Sequence, residues 1–84
     1  MDRHTLQEHL AKSESHVVIG KRNIARQRQI VADLEQDGHD ATTARKILDA
    51  FEVLQRLHVQ DRDRTAWELQ HLARDRAIRP RGWS

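Results

Sequence analysis

The side chains best suited to chemistry in this 84-residue chain are its six histidines and the carboxylates near them. Imidazole and carboxylate together suit a divalent transition metal. Built across two packed helices, His16, His58 and Asp61 are the candidate metal ligands, although the leading expectation is a chain that holds no metal. The histidines offer no His-x-x-His or His-x-x-x-His pair of helical metal-site type, and His4, His9, His39 and His71 read as surface residues. Without cysteine, neither a disulfide framework nor a thiolate zinc site can form.

Catalytic signatures are missing. There is no glycine-rich phosphate loop and no Gly-x-Ser-x-Gly elbow. Asp61 and Asp63 stand two apart, which puts them on different faces of a helix. Phe51, Trp67 and Trp83 are the only aromatic residues, too few to wall a substrate pocket. The expectation is a protein that is not an enzyme, with no catalytic residue and no cofactor.

Phosphate binding is the stronger rival. Lys21, Arg22, Arg26 and Arg28 make one basic stretch, and Arg74, Arg76, Arg79 and Arg81 another, with Trp83 beside the latter. Such clusters contact nucleic-acid backbones, and a tryptophan can stack on a base. Lys21, Arg22, Arg26, Arg28, Arg79 and Arg81 are therefore the candidate nucleic-acid contacts. The balance of charge argues the other way. Fifteen basic and 13 acidic residues leave only +2, and Asp33, Glu35 and Asp37 follow the first stretch closely. Interspersed signs are the pattern of a solvated helix face.

These residues must be positioned by helices. One proline, three glycines and many Ala, Leu, Arg, Gln and Glu residues favour helix throughout, and strand-forming clusters are missing. Leu10, Val17, Ile24 and Val31 recur every seven residues, with Leu6 and Leu34 flanking and Ser13, Gly20 and Gln27 between. The pattern predicts a first helix over about 3–36, starting at an Asp2 cap or a Thr5–Glu8 capping box. A turn over 37–40 follows, with Gly38 as left-handed cap and Asp40 capping the next helix. The second helix runs over about 41–78, on a stripe of Ala44, Ile47, Leu48, Phe51, Leu54, His58, Thr65, Leu69 and Leu72. Residues 79–84 read as a disordered basic tail, and residues 1–78 as one all-α antiparallel hairpin. Gly20 could break the first helix or admit the close approach of a neighbouring helix backbone.

With the turn centred between Gly38 and His39, facing residue numbers sum to about 77. Leu6 would then meet His71 and Leu72, and Leu10 would meet Trp67. The same register sets residues 12–17 against 60–65, a polar belt with Ser13, His58, Asp61, Arg62 and Thr65 inward and His16 at its margin. Such a belt fixes register and partner in coiled coils. Ile19, Ile30, Val53 and Leu57 lie off the seam. They form the expected oligomer interface, which a second hairpin would cover in a homodimeric four-helix bundle.

The run His16-Val17-Val18-Ile19-Gly20, then Ile24 to Arg28, Leu34 to Asp40, Ala44-Arg45 through Leu48, Phe51-Glu52 and His58 to Arg64 resembles a group of short, uncharacterised bacterial proteins. The resemblance covers roughly residues 2–72. It implies a helical hairpin and a bacterial cytosolic origin, and carries no chemistry. The first residues, Met1 to Thr5, lead into no apolar stretch, and the longest apolar run is Val17-Val18-Ile19, so a cytoplasmic protein is expected. The leading functional expectation is a non-enzymatic protein-interaction or regulatory module acting as a homodimer, with a protein partner. A nucleic-acid-binding protein is the alternative, and a metal- or ligand-binding bundle the third reading.

Overall fold

The computed structural model describes the backbone of residues 2–78 and the side chains of residues 2–72. Two helices, α1 (Arg3–Gln36) and α2 (Thr42–Ile78), pack along their length as an antiparallel hairpin. Among the described residues there is no strand, and no helix is long and apolar enough to cross a membrane.

Each boundary has a local cause. Asp2 is the N-cap of α1, and its carboxylate accepts from the Thr5 backbone N–H at 2.7 Å. At the other end Gly38 takes a φ of 74°, which its missing Cβ permits. The His39 N–H then reaches the Leu34 carbonyl at 2.8 Å and the Gly38 N–H that of Glu35 at 3.2 Å, the double bond of a Schellman turn. Asp40 sits one residue further out than expected. Its carboxylate accepts from the Thr42 N–H (2.9 Å) and hydroxyl (2.6 Å), while the Ala41 carbonyl accepts the first helical bond, from Arg45.

α1 continues through Gly20 without a break. Two seven-residue series of α1 face α2. One is Leu10, Val17, Ile24 and Val31; the other is Leu6, Ser13, Gly20, Gln27 and Leu34. Near the turn Val31, Ala41 and Ala44 are buried, with Leu34 and Leu48 packed on them. Opposite numbers sum to less than expected. His16 lies against His58, Ser13 bonds Asp61 and Gly20 meets Gln55, pairs that sum to 74 or 75. The cause is the tight turn: Ala41 already packs in the seam at 4% exposure, so the chain reverses about one residue earlier than the centre expected. Trp67 does not meet Leu10 either, because it lies between Thr65 and Leu69 on the outer face of α2. It is 57% exposed and stacks on His71, with ring centroids 3.6 Å apart. Ile47 and Leu54, expected on the stripe, are 41% and 49% exposed at its margin.

Candidate functional site

The middle of the seam is polar. At steps of seven along α1, Ser13, Gly20 and Gln27 replace the apolar residues that end the series, and each is matched by polar chemistry from α2. Gln27 Nε2 donates to the Ala44 carbonyl at 2.9 Å, and Gln27 is buried. Gln55 lies over Gly20, where a Cβ would overlap its Oε1, and its Nε2 donates to the Val17 carbonyl at 2.9 Å. Gln55 Oε1 is buried without a hydrogen-bond donor. Its neighbour is the Cα–H of Gly20, a weak donor at best. The close approach that Gly20 allows is thus by a glutamine side chain rather than by a helix backbone.

Ser13 is fully buried and donates its hydroxyl to Asp61 Oδ2 at 2.7 Å. His9 is not a plain surface residue. Its Nε2 lies 3.1 Å and 3.0 Å from the two Asp61 oxygens, and since an ionised carboxylate only accepts, that nitrogen carries the proton. Arg64 donates to Asp61 Oδ1 at 3.1 Å. The Ser13 hydroxyl first, then His9, hold the Asp61 carboxyl well below its ordinary 3.8, at about 2. Thr65, also buried, turns its hydroxyl back to the Asp61 carbonyl of its own helix.

The candidate metal ligands are divided by this arrangement. His16 and His58 meet across the seam with ring centroids 5.2 Å apart, but Asp61 is engaged by His9, Ser13 and Arg64. Among the described residues no three His, Cys, Asp or Glu side chains converge on a metal position. Contrary to the expectation that no Glu-x-x-His pair exists, Glu68 and His71 have that metal-helix spacing, but His71 Nδ1 pairs with the Trp67 carbonyl at 2.9 Å. Arg62, expected inward, pairs with its neighbour Asp63 at 2.9 Å.

The two sides of the seam differ. On one side charges pair across the helices: Glu35 with Arg45 at 2.7 Å and Arg28 with Glu52 at 3.9 Å. On the other side lies a half-open apolar groove with a cavity of about 100 Å³, lined by Ile19, Asn23, Phe51 and Leu54, with His16 and His58 at its far end. Ile30 is one seven-residue step from Asn23, Ile47 one step from Leu54, and Leu57 one helical turn beyond Leu54, so all three extend this side. Ile19, Ile30 and Leu57 are 48%, 40% and 55% exposed. Val53 is exposed too, but it is rotated about 100° from Leu54, onto the outer face of α2. The candidate phosphate contacts are spread out. Arg28 is on the ion-paired side with Lys21, Arg26 is on the groove side with Ile19, Arg22 points outward, and Arg79 and Arg81 lie outside the described residues.

Compared with protein-family models, curated proteins and solved structures, the chain matches none.

Proposed function

We propose that this chain is a non-enzymatic helical interaction module that works as a homodimer, two hairpins closing into a four-helix bundle over the apolar groove. The observation that carries the reading is the asymmetry of the seam. Near the turn one side pairs its charges within the chain, whereas the other exposes Ile19, Ile30, Ile47, Leu54 and Leu57 around the groove. Contiguous apolar surface on a small protein marks an interaction site, and a hairpin with a single seam gains a full core by packing on a second one. A two-fold pair is the simplest closed assembly, because the same surface serves both partners.

Sedimentation equilibrium across a concentration series tests this. The wild-type chain is expected at twice the single-chain mass, and Ile19→Lys with Leu57→Lys at the single-chain mass with helical circular dichroism retained. A wild-type chain that stays at the single-chain mass at high micromolar concentration sinks the reading.

A further inference from the structure

We infer that the two copies pair antiparallel, turns at opposite ends, with Lys12 of each copy set against Asp33 of the other. This rests on the homodimer reading above and adds the orientation of the partner. Lys12, Ile19, Arg26 and Asp33 follow one another at seven-residue steps and form one strip of α1 beside the groove. The strip is positive at one end and negative at the other. Lys12 and Asp33 are both exposed, and among the described residues neither makes an ion pair within its own chain.

A two-fold axis across the strip midway between Lys12 and Asp33 makes it complementary to itself. Lys12 then meets the partner's Asp33, and Ile19 meets the stem of the partner's Arg26, which covers apolar surface while its head stays in water. Asn23 falls beside the axis against the partner's Asn23, where an amide both donates and accepts. On α2 the matching level lies between Glu52 and Val53, so Leu54 faces the partner's Phe51 and the groove is filled from both copies. The apolar row occupies the half of the hairpin nearer the turn, and the half towards the open end carries Lys12, Asp61, Arg64 and Glu68 on this side. About this axis Ile19, Phe51 and Leu54 of the two copies overlap. Parallel pairing about a two-fold axis along the bundle would set α1 against the partner's α2 and keep Lys12 and the partner's Asp33 about 30 Å apart, so this complementarity would go unused.

The absence of cysteine makes the test direct, since Gln36→Cys provides a single labelling position near the turn, on an exposed residue. A nitroxide there is measured by double electron–electron resonance. At 1.5 Å per residue, antiparallel copies place the two labels about 40 Å apart, whereas parallel copies across a bundle place them below about 30 Å. A distance below that limit overturns the orientation and leaves the homodimer standing. No dipolar modulation at all overturns the homodimer itself. Charge exchange gives an independent reading: Lys12→Asp and Asp33→Lys each weaken self-association about tenfold at low salt, and the double exchange restores it. In a parallel pair positions 12 and 33 of the two copies lie at opposite ends of the bundle and the double exchange restores nothing, so a double variant no tighter than the single ones also refutes the proposal.

Discussion

Near the turn, Val31 packs among Ala41, Ala44, Leu34 and Leu48. Five turns or more towards the open end, equivalent seam positions carry Ser13 and Thr65, equally buried, and the helices are joined there by the Asp61 carboxylate. The first region is held by removal of apolar surface from water, which has no direction and little dependence on pH. The second is held by directed bonds to an ionised group, which specify one register and depend on its charge. A slip along the seam would cost the first region some packing. It would leave the second with a buried hydroxyl that has lost its acceptor. Labour is divided within one heptad pattern: the turn end supplies affinity between the helices, and the distal end supplies register.

The largest expected effect breaks that division at the turn. Val31→Asp places a charge in the apolar cluster and should cost at least about 3 kcal/mol in urea denaturation. Thr65→Val, at an equally buried position in the distal region, should change stability by less than about 1 kcal/mol, since the lost hydroxyl bonds only its own helix. Comparable losses from the two variants would remove the distinction drawn here.

Acid should loosen the distal region selectively. The Asp61 carboxyl is lowered in the folded chain from 3.8 to about 2, so its contribution is present in full above about pH 4 and is lost as the pH falls towards 2. Amide exchange and the His9 resonances should report opening there before the Val31 cluster yields. In Ser13→Ala the carboxyl, followed by NMR titration, should move back up towards its ordinary value, because its largest stabilising partner is gone. An unchanged titration would show that the Ser13 bond does not matter.

The smallest effect lies between the two regions. Gly20→Ala gains about 1 kcal/mol of helix propensity and displaces Gln55, which costs a bond of about the same size, so the net change should be near zero. In a Gln55→Ala background the same substitution should stabilise by about 1 kcal/mol. Additivity of the two variants would mean that the side chains do not compete for the space over Gly20.

Much of this architecture is legible in the residues themselves. The series Leu10, Val17, Ile24, Val31 identifies the packed face of α1 because a seven-residue repeat keeps side chains on one stripe. Asp2 and Gly38 declare their ends through capping chemistry that depends only on neighbours. Ser13, Asp61 and Thr65 are recognisable as a polar belt because no apolar residue interrupts 60–65. Gln55 is far less legible: a glutamine on a helix ordinarily points into water, and the space over Gly20 draws it inward. A weak trace existed, since Gly20 and Gln55 each fall on a seam series of their own helix. His9 was hidden for a similar reason, because its partner Asp61 is 52 residues away.

Local periodicity and capping therefore determine that there are two helices, where they end, which faces meet and that no helix among the described residues is apolar enough to cross a membrane. Only the tertiary structure decides the register, because one residue more or less in the reversal shifts every facing pair. That shift sets His16 on His58 and gives Asp61 to His9 and Ser13 rather than to a metal position. It decides the two unlike sides of the seam as well, since charge pairing across helices depends on which residues stand level, and composition alone records only that both signs are present.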